Sequence, residues 1–187
     1  METSFKLGIF IITSAGMVRV SRVPLRSFRF HGFYRFFAWE ALSILILLHL
    51  DVQHWIYRPS SLRQIIAESC LAVSLFLVID GFLLLRKAGK PDDRRTDPAL
   101  FWIEKTTVLV TVGAYKHIRH PLITSLLLLT WGVFLKAPSW LAATLAVIVT
   151  FNLVVASKVE ERENMEFFGA PYGEYMKRTK MFIPFVL

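Results

Sequence analysis

The chain has 187 residues, 55% of them hydrophobic, and a single cysteine. That length suits one domain, and the lone Cys70 excludes an intramolecular disulfide, so it reads as a small buried apolar residue. Apolar residues gathered in blocks exclude an ordinary soluble protein, and a formal net charge of +8 points to an acidic partner only if the basic residues do not simply flank membrane helices.

The first apolar block, 5–18, is marginal in length and carries Lys6. It fits a tilted span, an interfacial helix or a signal sequence. A span is the preferred reading, because no small-residue cleavage site precedes a soluble domain. Phe33–Tyr57 and Leu62–Leu85 are each long enough to cross a bilayer as helices. "KAGKPDDRRTDP" (87–98) follows as a polar, proline-containing loop. Pro121–Ser157 is too long for one span, and "KAPSW" (136–140) divides it into two, which predicts an antiparallel helical hairpin.

With five spans, 18 of the 22 Lys and Arg residues fall on one side, in the segments 19–35 and 86–119 and in the tail from Lys158. The positive-inside rule puts that side, with the C-terminus, in the cytoplasm. Basic residues so placed meet anionic lipid headgroups, which removes the nucleic-acid reading. The expected fold is all-α: one polytopic membrane domain over 1–187, with about five transmembrane helices, the last two a hairpin.

Polar residues inside spans are costly and mark packing contacts or cavities. Glu40, Asp80 and Asn152 come from three spans, each roughly 8–10 Å from its cytoplasmic end at 1.5 Å per residue. Thr124 and Ser125 reach a similar level. Either these residues hydrogen-bond between helices, with carboxylates pairing to arginines such as Arg35, or Glu40, Asp80, Asn152 and Ser125 line a polar substrate cavity open to the cytoplasmic leaflet. Glu68 and His49 lie toward the other side and are assigned to packing or solvation.

"GAYKHIRHP" (113–121) leads into the fourth span. Pro121 suits a first helical turn, His120 precedes free amide donors, and Arg119 adds a full charge, so the helix start can attract a carboxylate. The last span ends in Glu160 and Glu161. Closing the hairpin brings Arg119 and His120 beside these glutamates, where opposed charges can bind a zwitterion or neutralise each other.

The order Gly113-x-Tyr115-x-x-x-Arg119-His120-Pro121, then Glu160-Glu161, then "FFGAPYGEY" (167–175), resembles the C-terminal module of membrane methyltransferases. This family includes isoprenylcysteine carboxyl methyltransferases and phospholipid N-methyltransferases. "TTVLVTVG" (106–113) is also similar, so the likeness covers about 106–184. It implies S-adenosyl-L-methionine as methyl donor, contacted by Leu109, Val110, Tyr115, His120, Pro121 and Glu160, and a lipid or other hydrophobic small molecule as acceptor. Two positions depart from the family: Ile123 stands where a tyrosine is common, and Ala156 and Ser157 stand where isoprenylcysteine enzymes carry an arginine.

For the chemistry itself, Arg119 is expected as a fixed positive charge, and Arg162 or Lys158 as a substitute for the missing arginine. Glu161 would accept a proton, with Glu40 or Asp80 as alternatives. No metal is implied. The expected setting is a bacterial inner membrane, multi-pass, with the C-terminus cytoplasmic. Two other readings fit: a nicotinamide-dependent (NADPH) reductase of the sterol reductase type, which has a similar module, and a non-catalytic membrane protein whose charged mouth is an anchor.

Overall fold

The computed structural model describes residues 3–50, 61–92, 95 and 100–184. The helices among these are α1 (Thr3–Val20), α2 (His31–Leu48), α3 (Leu62–Ala88), α4 (Pro121–Lys136), α5 (Trp140–Phe168) and α6 (Ala170–Arg178). Short 3-10 turns lie at Pro24–Arg26, Trp102–Glu104 and Gly113–Lys116. By length and composition α1, α2, α3 and α5 can each cross a membrane, and α4 is a shorter apolar helix. The protein is an all-helical, polytopic integral membrane protein. The span expected over Phe33–Tyr57 runs from His31 to Leu48, and 51–57 lie outside the described residues.

Local chemistry sets the helix starts. The Ser61 side chain accepts from the Gln64 amide to begin α3, and Ser139 accepts from Ala142 to begin α5. Pro121, which has no N–H to leave unsatisfied, is the first residue of α4. The 29 residues of α5 make it about 43 Å long at 1.5 Å per residue, beyond the roughly 30 Å of a hydrocarbon core. Its charged C-terminal turns therefore project from the apolar layer. Gly169 then adopts φ +63°, a conformation costly for other residues, and turns the chain into α6.

In the bundle α4 packs mainly against α3, and α5 mainly against α2; the two arms of the hairpin share less contact with each other. Leu42 and Leu45 of α2, Val133 of α4 and Val149 and Leu153 of α5 form the buried core. Helices in lipid are held by close packing and interhelical hydrogen bonds, and here the Ser74 hydroxyl donates to the Ser125 carbonyl at 2.7 Å. α1 has no buried residue, so its apolar side chains face outward.

The end of the bundle remote from the basic segments is tied by polar contacts. His49 lies 2.8 Å from both the Leu45 and Ala137 carbonyls, through its two ring nitrogens. The buried Lys136 ammonium pairs with Glu68 at 3.0 Å, and Gln64 donates to the Lys136 carbonyl at 3.2 Å. Cys70 is half-buried rather than fully enclosed.

Candidate active site

The segment before α4 is held from two sides. Asp80, on α3, accepts the Ala114 amide at 3.2 Å and so fixes the 3-10 turn that carries Tyr115. Gly113 opens this turn at φ +58°, which favours glycine, and a Cβ there would also push the end of the Leu84 side chain aside. From the other side the C-terminal segment pairs with 117–120: Arg119 donates its amide to Lys180 at 2.8 Å, and His120 donates to Met181 at 3.3 Å. The Tyr175 hydroxyl donates to the Tyr115 carbonyl at 2.7 Å.

These contacts deliver Arg119 and His120 to the end of α5. The Arg119 guanidinium donates through Nε to Glu161 at 2.5 Å, and through Nη1 to the Met176 and Thr179 carbonyls at 3.3 and 2.5 Å. The His120 ring lies between two carboxylates, Nδ1 3.4 Å from Glu160 and Nε2 3.4 Å from Glu161. Burial alone would lower its pKa, but the adjacent Glu160 and Glu161 charges outweigh that and raise it to about 9. His120 is therefore a buried cation at neutral pH. Burial pushes the phenols of Tyr115, Tyr172 and Tyr175 upward, so all three stay protonated.

One cavity of about 360 Å³ opens beside this cluster. That is within the range of about 300–1,000 Å³ common for small-molecule sites. Leu109, Val110, Tyr115, Arg119, His120, Glu160 and Ser125 are on its wall. An apolar part of its wall comes from three helices, with Val78 and Phe82 of α3, Leu122 and Leu126 of α4 and Leu153 of α5. Its aromatic side holds Phe168 and Tyr172, whose rings stack 6.4 Å apart.

Several expected residues lie elsewhere. Glu161 is not on the wall, because it is spent on Arg119 and His120 behind it. Arg162 is exposed and outside the cavity, on the opposite side of its helix from that role. Pro121 is buried under the wall. Asn152 turns back on its own helix, donating to the Ile148 carbonyl at 2.9 Å, so the expected cavity contact is absent. Asp80 serves the Ala114 turn, and Glu40, which does not line the cavity, has one buried oxygen without a hydrogen-bond partner. Arg35 pairs with Glu104 at 2.7 Å rather than with Glu40.

Other wall residues were not anticipated. His31 and Arg35 enter from the first turns of α2. Glu104 is held by Arg35 and by the Phe101 amide at 2.9 Å, while the Arg35 guanidinium rests 3.9 Å from the Phe101 ring centre. Arg95 is buried, donating to the Thr106 carbonyl at 3.2 Å and to Asn164 at 2.8 Å. The i, i+4 spacing of His31 and Arg35 at a helix start was a readable signal. Their link to Glu104 and Glu163, from distant segments, was not.

Among known proteins, residues 62–171 match the family described as phospholipid methyltransferase. The match begins at the first residue of α3, well before the quoted motifs. Curated relatives include Methanethiol S-methyltransferase 2 of Bradyrhizobium diazoefficiens, 38% identical over 70 residues, which are 37% of this chain and 26% of that protein. Methanethiol S-methyltransferase 1 of the same organism is 33% identical over 72 residues, 37% of this chain and 24% of the relative. Methanethiol S-methyltransferase of Crocosphaera subtropica is 29% identical over 76 residues, 41% and 29% of the two chains. The matched stretch thus spans under a third of these relatives' length. No solved structure matches. With the family match covering more than half of its length, the chain belongs to the phospholipid methyltransferase family.

Proposed function

We propose that the protein transfers a methyl group from S-adenosyl-L-methionine to a small hydrophobic thiol at the cytoplasmic face of a bacterial inner membrane. The observation that carries this reading is the cavity, which has a charged and aromatic wall at the His120–Glu160 pair and an apolar wall contributed by three helices. The first suits a water-soluble zwitterion, and the second suits a greasy acceptor. The thiol is favoured because the relatives are named methanethiol S-methyltransferases. The cytoplasmic orientation is supported by the 18 of 22 basic residues gathered on the site's side of the chain. The bacterial setting is supported by the relatives' organisms.

The residues present fit such a donor. His120 is on the cavity wall as a buried cation, so it offers a positive charge to a donor's carboxylate while Glu161 holds its Nε2 side from behind. Glu160 offers a carboxylate to an ammonium or a ribose hydroxyl. Leu109, Val110 and Tyr115 form an apolar and aromatic wall for an adenine, and Phe168 and Tyr172 present π-faces to a cationic centre. When bound, the donor supplies a methyl carbon already activated by a sulfonium. What remains for the protein is to hold the acceptor sulfur in line with that carbon and to exclude water. Leu122, Leu126 and Leu153 do both from the apolar side. Arg119, on the wall, fixes Glu161 behind it, and Glu161 in turn holds His120 in place.

The test is purified protein in lipid nanodiscs, given methyl-labelled S-adenosyl-L-methionine and ethanethiol. Label is expected in the volatile thioether, with S-adenosylhomocysteine binding by calorimetry and Glu160→Gln weakening that binding. Absence of S-adenosylhomocysteine binding, or binding of NADPH in its place, would reject the methyltransferase reading.

A further inference from the structure

His31 is the first residue of α2, and its side chain is 2% exposed. Glu163, on α5, engages it twice: one carboxylate oxygen accepts the His31 backbone amide at 3.1 Å, and the other lies 2.5 Å from Nδ1. A carboxylate can only accept, so Nδ1 carries a hydrogen, and the tautomer in which the ring can act as a base has its lone pair on Nε2. That nitrogen is buried and has no partner, although His31 lies on the cavity wall.

A cap for α2 would need only the backbone amide and one carboxylate oxygen. The second oxygen, the fixed tautomer and the vacant nitrogen are the parts of a general base held by an orienting carboxylate. The neighbouring charged groups do not compete for this task. Glu160, on α5, shares the cavity wall with His31 but is paired with His120. Arg35, on α2 itself, is engaged by Glu104. His120 is a cation at neutral pH, and Glu161 lies behind the wall.

We propose that His31 is a catalytic residue of this site, the base that deprotonates the thiol acceptor, with Glu163 as its positioning residue. The proposal rests on the methyl-transfer reading above. The S–H bond breaks, its proton bonds to Nε2, and its electron pair stays on sulfur. That sulfur bonds to the methyl carbon as the carbon's bond to the sulfonium breaks, the electron pair going to the departing sulfide. The imidazolium then returns the proton to water.

The test compares wild type with His31→Asn in nanodiscs. Asparagine can keep a donor near the Nδ1 position for Glu163 while removing Nε2, so the α2 cap survives. The kcat with ethanethiol is expected to fall about 100-fold or more, the usual weight of general-base catalysis. With nitrothiophenol, already ionised at neutral pH, the loss should stay within roughly fivefold, because no proton has to be removed. Affinity for S-adenosylhomocysteine should be unchanged. In 15N-histidine-labelled wild type bound to S-adenosylhomocysteine, one unprotonated Nε2 resonance should appear and should be missing from His31→Asn. Equal losses on both thiols, or none on ethanethiol, would overturn the base role while leaving the methyltransferase reading intact. Failure of wild type to bind S-adenosylhomocysteine would overturn both.

Discussion

The position of His120 between two carboxylates makes a quantitative statement about pH. Its folded pKa of about 9 stands above the unfolded value of 6.5. A group raised in this way binds a proton more tightly when folded. Its stabilising contribution is therefore complete below about pH 6.5 and disappears as pH rises through about 9. The upper bound is about 3 kcal/mol, since each pKa unit is worth ~1.4 kcal/mol. Most of it is present at pH 7 and essentially none at pH 10. The groups that set it are Glu160 and Glu161 on α5, with Arg119 alongside. The assay is unfolding in mild detergent between pH 7 and 9.5, wild type against His120→Gln. Wild type should be the more stable at pH 7, and the difference should close toward pH 9.5. The buried tyrosines titrate above this window and are present in both proteins, so they cancel. Parallel curves for the two proteins would refute the charge assignment of His120.

Other perturbations separate supporting contacts from contacts to the cavity. Glu161→Gln leaves the buried Arg119 guanidinium without its carboxylate, and should cost about 3 kcal/mol and speed proteolysis of the segment after α6. Glu160→Gln should cost less stability but more S-adenosylhomocysteine affinity, read by calorimetry. Tyr175→Phe removes the hydroxyl that donates to the buried Tyr115 carbonyl and should cost about 1–3 kcal/mol in the same unfolding assay. Gly113→Ala meets a backbone penalty of about 1–3 kcal/mol and displaces the Leu84 side-chain end beside Asp80. Gly169→Ala meets no neighbour and should show the backbone penalty alone.

Much of the bundle is legible in the chain itself, because lipid imposes few solutions. An unsatisfied amide is too costly in hydrocarbon, so long apolar blocks must be helices, and basic residues must sit at their ends. The division at 136–140, the start at Pro121 and the meeting of Arg119 and His120 with Glu160 and Glu161 all follow from such local rules and from the closure of a short turn. The residues quoted around Tyr115, His120 and Glu160 were for the same reason enough to indicate the family.

The rotation of each helix about its axis is another matter, since apolar residues occur all round the spans and a lipid-facing side is as greasy as a packed one. Only the tertiary structure turns Asn152 back on its own helix, leaves Arg162 outside and puts Glu161 behind the wall. It also joins partners that no local pattern connects: Arg35 with Glu104, Arg95 with Asn164, and His31 with Glu163, 132 positions apart. Helix identity is written in composition, because the solvent enforces it. Which polar groups face one another depends on how whole helices pack, and that is settled by contacts between distant residues.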